Sequence, residues 1–548
     1  MAWQQAYNPL DSVPLSTVFA ALPIVVLLGT LAILRIKAHW AAILGLVTAL
    51  VVAVGIFGMP ANMALATAVL GAGFGLLPIG WIILHVIFIY RLTKEKGEFE
   101  VLQNSLTGIT QDSRLQLVLI AFAFGAFFEG AAGFGTPVAV TAAILIGLGF
   151  GPLQASGLSL IANTAPVAYG ALGIPIITLA SVSGLNEMDL SAMVGRQLTF
   201  FAVLIPFWLV WAYAGFRAML GVWPAILVAG VSFAVPQFLI SNFHGPSLVG
   251  IISSMVSMAA LTVFLMKWRP KQIWGLNGHD TAIQARGEHG HSRKEVILAW
   301  LPWIILSVLV FVWGLPQFKN YVNAIPGFIF KFAVPGLDQM IMRVPPVVAA
   351  PKAEPAVYVL NWVSATGTGI LLAGIISGFV MGYSIRGLIR VYWETLKMVR
   401  FSLLTISAML ALGFVTRYSG VDATLGLTFA MTGVFYPFFG TMLGWLGVAL
   451  TGSDTSSNVL FGSLQRISAE QIGLSSTLMC SANSAGGVMG KMIDAQSIVV
   501  ASTATQWYGH EGDILRYVFF HSLALAVLMG LLVVLQAYVY PFTLLVVR

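Results

Sequence analysis

Four ionisable residues of this chain lie in apolar sequence, each beside a run of glycine, serine or proline: Glu129, Asp454, Lys491 and Asp494. On insertion scales a charged side chain costs about 2.5–3.5 kcal/mol at the centre of a bilayer, so each of these residues needs a reason to be there. A carboxyl group that meets a water-filled cavity can take up and release a proton. We therefore predict Glu129, Asp454 and Asp494 as proton-coupling residues, with Glu129 as the first choice and Asp454 as the second.

Three of these residues also have a structural explanation. Glu129 could lie at a helix end and accept backbone N–H groups, with no role in proton transfer. Lys491 and Asp494 are three residues apart and share one face of a helix. A structural ion pair therefore explains Lys491 as well as a substrate contact does, and both explanations stay open.

The sequence around Glu129 interrupts regular helix. It reads FFEGAAGFGTPVAV and then GLSLIANTAPVAYGALGIP, and its glycines and prolines would leave backbone groups without partners in lipid. A second pair of segments, LTGSDTSSNVLFG and SANSAGGVMGKMIDAQS, follows about 320 residues later. At an offset of 320, Asn163-Thr164-Ala165 aligns with Asn483-Ser484-Ala485, and one gap aligns Gly133 and Thr136 with Gly452 and Thr455. The two pairs predict a duplicated unit that contains a broken helix.

Broken helices offer a site for an anion, because their exposed N–H groups carry partial positive charge. Hydroxyl and amide side chains beside the breaks can bind a carboxylate or a hydroxyl group. The alternative is that these residues serve only the close packing of membrane helices, but their occurrence in both repeats favours a site. The predicted substrate-binding residues are Gly133, Gly135, Thr136, Asn163, Thr164, Thr455, Ser456, Asn458, Asn483, Ser484, Gly486 and Lys491.

Composition indicates the environment of these segments. Only 9% of the residues are charged, against about 25% in soluble domains, and 58% are apolar, which predicts an all-α polytopic membrane protein. The net charge of +7 comes from Lys and Arg residues in a few short connections, as the positive-inside rule produces, and gives no indication of nucleic-acid binding. The single cysteine, Cys480, provides neither a disulfide nor a metal-ligand set, so we expect no cofactor and no metal.

Hydrophobic runs and basic connections predict about twelve transmembrane helices and two re-entrant hairpins, with both termini outside. An N-terminal helix (1–37) precedes a first repeat (38–220) that has a hairpin (115–150) and a broken helix (153–179). Linking helices (221–360) carry a cytoplasmic loop (267–295) and an external loop (315–362). The second repeat (361–548) has a hairpin (421–464) and a broken helix (475–500). Because an odd number of crossings separates matching positions, the two repeats are inverted.

Inverted repeats with broken helices at their interface are typical of secondary transporters, which expose one site alternately to the two sides. A proton-translocating subunit of a respiratory complex would need charged groups along several helices, whereas the charges here cluster at two breaks. A channel would need a ring of like residues, and an enzyme a nucleophile–base pair or metal cluster. The residues alone therefore predict a transporter of small anions, with dicarboxylates and sulfate among the alternatives.

Three motifs, EGAAGFGTPVAV, NTAPVAYGALGIPI and GSDTSSN, resemble the lactate permease family, and the similarity runs the whole length of the chain. This family is similar to the broader ion-transporter superfamily. Members of that superfamily place Ser-Asn-Thr-like motifs at two hairpin tips and two broken helices, and they move a transport domain like an elevator. The matching positions here are Asn163-Thr164, Asn483-Ser484 and Thr455-Ser456-Ser457-Asn458. The first hairpin tip, Gly-Phe-Gly-Thr-Pro, departs from this pattern because it has neither Asn nor Ser.

The resemblance implies proton-coupled uptake of L-lactate and related 2-hydroxymonocarboxylates, D-lactate and glycolate, across the plasma membrane, which is the inner membrane of a bacterium. The partners it implies are a small monocarboxylate, protons and membrane lipid, and it leaves a homodimer open. It does not decide between lactate and glycolate.

Overall fold

The computed structural model describes residues 2–32, 34, 36–98, 100–101, 104, 109–131, 133, 136–275, 292–348, 350–508 and 510–547. Most of these residues are helical. The helices of the first half are α1 (Val13–Ala32), α2 (Ala38–Gly55), α3 (Ala61–Phe74), α4 (Trp81–Glu95), α5 (Ser113–Ala131), α6 (Thr136–Gly147), α7 (Pro152–Asn163), α8 (Gly170–Ser183), α9 (Glu187–Ala214), α10 (Phe216–Leu220), α11 (Trp223–Phe243) and α12 (Val249–Lys267). The helices of the second half are α13 (Arg293–Gly314), α14 (Pro316–Asn323), α15 (Thr366–Val380), α16 (Ile385–Ser419), α17 (Val421–Ala430), α18 (Tyr436–Thr451), α19 (Asp454–Gln471), α20 (Ser476–Gly490), α21 (Ala495–Ala504) and α22 (Glu511–Tyr538).

Among the described residues, ten helices are long and apolar enough to cross a membrane, or eleven if the bent pair at α7 and α8 is one span. The sequence predicts twelve crossings. The numbers differ partly because α2 and α15 belong to the shorter apolar helices; α15 has 15 residues, or about 22 Å, against about 30 Å of hydrocarbon. Helix α5, which the sequence places in the first hairpin, adds to the count, because its 19 fully buried residues are long and apolar enough to cross a membrane.

The two predicted hairpins correspond to two pairs of consecutive helices. In the predicted first repeat these are α5 and α6, and in the predicted second repeat α18 and α19, which meet at Gly452–Ser453. The second hairpin starts later than the predicted residue 421, because a turn with left-handed Gly433 (φ +58°) and then Pro437 separates α17 from α18. Its second arm continues to Gln471 rather than ending at residue 464.

The two predicted broken helices are interrupted close to the expected residues. The chain bends by 64° between α7 and the segment Val167–Ser183, with Pro166 in the break. At the start of α8 three consecutive residues have positive φ: Ala171 (44°), Leu172 (59°) and Gly173 (82°). Two of these carry a side chain, and such backbone strain of about 1–3 kcal/mol each concentrates at functional sites. The second break is a short 3-10 turn, Lys491–Ile493, between α20 and α21.

Within the described residues, five short strands depart from the all-α prediction: β1 (Trp3–Gln4), β2 (Phe330–Ala333), β3 (Ile341–Arg343), β4 (Lys352–Glu354) and β5 (Val357–Leu360). β3 lies between β1, which is parallel to it, and antiparallel β4, while β2 and β5 form an antiparallel pair. The strands have two to four residues, too few for an alternating pattern to be visible in the sequence. Their pairing places the N-terminus beside the segment 315–362, as expected if both are on the outside.

Candidate functional site

A cavity of about 310 Å³ lies where both tips and both breaks meet. The long helix α16 contributes one further residue to its wall. The lining residues are Glu129 and Gly133 of the first tip; Val167, Gly170, Ala171, Ile174 and Pro175 of the first break; Gly452, Ser453, Asp454 and Thr455 of the second tip; Lys491, Gln496, Ser497 and Val500 of the second break; and Ser402 of α16. Four segments, two from each half of the chain, therefore line one cavity.

Glu129 enters this cavity from the last turn of α5. Its side chain is 5% exposed and lies against Gly170, where an added Cβ would be 2.4 Å from the Glu129 Oε1 atom. Gly170 is thus required to leave room for the carboxyl group. Within the described part of the chain the Oε2 atom has no hydrogen-bond partner, which is costly for a buried polar atom. Such an atom marks a place where a proton, a water molecule or a ligand would bind.

Asp454 is the second buried carboxyl group of the cavity, at the N-terminus of α19. Its Oδ2 atom accepts hydrogen bonds from Ser484 Oγ at 2.5 Å and from Asn458 Nδ2 at 3.4 Å. Its Oδ1 atom finds no partner among the described residues. Ser453 caps the same helix, since its Oγ atom accepts the Ser456 N–H at 3.2 Å. Asp454 is therefore held on one oxygen and free on the other.

Lys491 provides the positive charge of the cavity. Its Nζ atom lies 3.2 Å from Asp494 Oδ2 and donates a hydrogen bond of 2.6 Å to the carbonyl oxygen of Gly452. Asp494 also caps α21, because its Oδ1 atom accepts the Ser497 N–H at 2.8 Å. The predicted ion pair is thus present. It does not exclude a substrate contact, because an ammonium group has three donors and lines the cavity.

The two aligned asparagines have different surroundings. Asn483 is satisfied: its Oδ1 accepts from Gln465 Nε2 at 3.2 Å, and its Nδ2 donates to Asn458 Oδ1 at 2.9 Å. Asn163 is buried beside the Glu129 carboxyl group, and apart from that group neither its Oδ1 nor its Nδ2 atom has a hydrogen-bond partner in the described part of the chain. Thr164 Oγ1 is equally unpartnered there. The contrast is therefore between the two asparagines: the amide of Asn483 is held by neighbouring side chains, and that of Asn163 is not.

Other predicted residues contribute less directly. Gly486 packs α20 against α18, since a Cβ there would be 2.4 Å from the Thr441 carbonyl oxygen, and this favours the packing explanation at that position. Ser456 is half-buried, and its described polar contact is the backbone N–H within the cap of α19. Thr136 begins α6, but its side chain and the whole of Gly135 lie outside the described residues.

Four polar lining residues were not among the predicted site residues: Ser402, Ser453, Gln496 and Ser497. Ser453 precedes Asp454, and Gln496 and Ser497 lie two and three residues after Asp494, so their positions beside the second tip and the second break were a signal available in the sequence. Ser402 lies within the 35-residue helix α16, far from either repeat motif. Only the packing of α16 against the site brings it to the cavity wall.

The arrangement can bind a small anion. Lys491 offers a cation, and the first turns of α19 and α21 present helix N-termini with partial positive charge. Next to them, Glu129 and Asp454 offer carboxyl groups that can hold protons. Within the described residues no group of His, Cys, Asp or Glu is placed to hold a metal ion.

Comparisons with known proteins identify the family of the chain. The sequence model described as L-lactate permease matches residues 16–540. The glycolate permease GlcA of Escherichia coli K12 is 46% identical over 98% of this chain and 99% of its own length. The L-lactate permeases of Salmonella typhimurium and Bacillus subtilis are each 44% identical, over 98% of this chain and 98% and 99% of their own. A structural alignment with the YdaH transporter of Alcanivorax borkumensis covers 96% of this chain and 98% of the YdaH chain. Its TM-score is 0.45 and the sequence identity is 13%, so this likeness supports no inference.

These relatives are bacterial permeases and not enzymes, which together with the apolar helices makes this chain a multi-pass transporter of the bacterial inner membrane. The resemblance seen in the three sequence motifs is confirmed over nearly the full length. The chain belongs to the L-lactate permease family.

Proposed function

We propose that this protein is a proton-coupled symporter for L-lactate and related 2-hydroxymonocarboxylates, namely D-lactate and glycolate. The observation that carries the proposal is the cavity in which one lysine faces two buried carboxyl groups, each with an oxygen that has no partner among the described residues. The names of the related permeases supply the substrate class.

The charge of the site favours a monoanion over a dianion. Lys491 is the one lysine or arginine that lines the cavity in the described part of the chain, and Asp494 already neutralises it. A dicarboxylate or sulfate would bring a second negative charge with no second cation to meet it. The cavity volume of about 310 Å³ is at the lower end of ligand pockets, which suits a molecule with few atoms.

The same charges explain why a proton should accompany the substrate. An anion that enters next to ionised Glu129 and Asp454 meets like charges in a poorly solvated place, which is unfavourable. A proton on one of these carboxyl groups removes that repulsion and supplies a donor for the substrate. We assign this proton first to Glu129, whose Oε2 atom is unpartnered among the described residues, and second to Asp454. Asp494 forms an ion pair with Lys491 and accepts the N–H that caps α21, so it is the third candidate for the proton.

For the substrate we propose contacts with Lys491, Thr455, Gly133 and the first turn of α21. The free amide of Asn163 and the hydroxyl of Thr164 would bind directly or through water. Alternating access would move the two hairpins and two broken helices as a unit, in the manner of an elevator. The inverted repeats on which this rests are supported by the convergence of both tips and both breaks on one cavity. Assembly as a homodimer stays a prediction.

Transport by purified protein in proteoliposomes tests the proposal. Vesicles loaded with unlabelled L-lactate should take up labelled L-lactate by counterflow, with D-lactate and glycolate as effective competitors. An inward proton gradient should drive accumulation above the outside concentration. If succinate or sulfate competes more strongly than D-lactate and glycolate, the proposed substrate class is wrong. If accumulation does not depend on the pH gradient, transport is not coupled to protons.

A further inference from the structure

A second pocket, of about 880 Å³, lies at the end of the molecule that the basic residues assign to the cytoplasm. It forms between α10, the start of α11 and the segment that follows α12. Four basic side chains line it: Arg114, Arg217, Arg269 and Lys271. Three tryptophans, Trp223, Trp268 and Trp274, stand around them, and tryptophan is enriched at the level of lipid headgroups.

The floor of this pocket is rigid and neutral. Arg114 and Asp112 form a buried pair at 2.6 Å, and Arg114 also donates to the carbonyl oxygens of Ala218 and Gln272. The Asp112 carboxylate accepts a hydrogen bond of 3.1 Å from the backbone N–H of Trp274. This bond connects the segment after α12 to the start of α5. Arg114 thus builds the pocket and is not free to bind an anion.

The other three basic residues are free to do so. Arg217, Arg269 and Lys271 are exposed, and within the described ranges no carboxylate forms an ion pair with any of them. Three positive charges that no described carboxylate compensates favour an anionic partner at this pocket.

An apolar groove continues from the pocket along the membrane face of α11 and α12. Trp268 belongs to both, and the groove runs past Phe264 and the small residues Ala260 and Ala259 to Val256. A further hollow shares Val256 and extends to Val235. From Trp268 to Val256 the helix rises about 18 Å, close to the roughly 15 Å thickness of one hydrocarbon leaflet.

We propose that this pocket and groove bind one anionic phospholipid of the cytoplasmic leaflet. The phosphate lies among Arg217, Arg269 and Lys271, and an acyl chain lies in the groove beside Ala259. The charge selects an anionic headgroup, and the continuity of the groove with the pocket requires a molecule that has both a headgroup and a chain. This inference is independent of the transport cavity and of the substrate.

The test measures lipid binding to the purified full-length protein in detergent by native mass spectrometry, with dioleoyl phosphatidylglycerol and dioleoyl phosphatidylcholine as probes. The variant Arg217→Ala/Arg269→Ala/Lys271→Ala should weaken phosphatidylglycerol binding on the order of a hundredfold, from the usual contribution of a basic residue at a membrane surface. The control Lys94→Ala/Arg386→Ala/Lys397→Ala removes the same charge from exposed residues elsewhere and should retain native binding. Ala259→Trp, which fills the groove and keeps the charge, should weaken phosphatidylglycerol binding about tenfold.

Four outcomes would overturn the proposal. Equal binding of phosphatidylcholine would show that charge does not select the lipid. An equal loss of phosphatidylglycerol binding in the control variant would show that the lipid does not bind at this pocket. Native binding by Ala259→Trp would remove the acyl groove. Glycerol 3-phosphate that competes as well as the phospholipid would show a site for a soluble phosphate compound. Counterflow of labelled lactate by each variant verifies that it is folded.

Discussion

Replacing Lys491 by glutamine separates its two roles, as an ion-pair partner and as a substrate contact. The Lys491 and Asp494 side chains are 10% and 1% exposed, so Lys491→Gln leaves Asp494 with a buried and unpaired charge. Removing one partner of a buried pair costs about 3–5 kcal/mol, and we expect this loss in the free energy of unfolding. A fall in transport by this variant alone would therefore be ambiguous.

The double variant Lys491→Gln/Asp494→Asn removes the ambiguity. Both charges disappear, and the asparagine introduced in place of Asp494 would still accept the Ser497 N–H that caps α21, because asparagine caps helices as well as aspartate does. We expect most of the stability to return. The affinity for lactate should stay low by roughly 10- to 150-fold, which corresponds to about 1.5–3 kcal/mol for a lost hydrogen bond to a charged group.

Thermal unfolding in detergent and the half-saturating lactate concentration in counterflow provide the two readouts. The buried pair of Arg114 and Asp112 gives a matched control, since it is equally shielded and lies outside the lining of the transport cavity. Its double variant Arg114→Gln/Asp112→Asn should change stability and leave the affinity for lactate as it is. Native affinity in the Lys491→Gln/Asp494→Asn protein would refute the substrate contact and leave Lys491 with the ion pair alone.

Three further predictions concern the cavity wall, the asparagines and the topology. Gly170→Ala should slow transport at least tenfold by displacing the Glu129 carboxyl group. The control Gly147→Ala adds a Cβ in open space and should not slow transport. Equal rates for the two variants would contradict the role of the contact between Gly170 and Glu129. Asn483→Ala should destabilise the protein by about 1–3 kcal/mol because it leaves Asn458 and Gln465 without one hydrogen-bond partner each. Asn163→Ala should instead reduce transport with little change in the unfolding temperature. The reverse pattern would show that Asn163 serves only helix packing. Single cysteines at Lys331 and Lys397 should react with an impermeant maleimide from outside and from inside respectively, and labelling of both from one side would break the predicted topology.

The sequence was informative where the backbone is interrupted. Proline lacks the N–H that continues a helix, and glycine and asparagine have low helix propensity, so clusters of these residues indicated where the apolar helices would be interrupted. Gly133 and Asp454, which were predicted separately as a binding residue and a proton-coupling residue, line one cavity.

Other features depend on contacts that no local pattern records. Ser402 reaches the cavity because α16 packs beside the breaks, and its neighbours in the sequence give no sign of this. The repeat alignment treats Asn163 and Asn483 as equivalent, but Gln465 and Asn458 satisfy only Asn483. The parallel pairing of Trp3 with Ile341 joins residues more than three hundred positions apart, so it could not be predicted from strand propensity.

The central claim is that Glu129 carries the coupled proton, and Glu129→Gln tests it most directly. Glutamine keeps the shape of the side chain and cannot release a proton, so the variant should lose accumulation of lactate driven by a pH gradient and retain counterflow exchange. Asp422→Asn is the matched control, a carboxyl group that is 2% exposed and does not line the cavity, and it should keep both activities. If the Glu129→Gln protein accumulates lactate against its gradient as the native protein does, Glu129 is not the coupling residue.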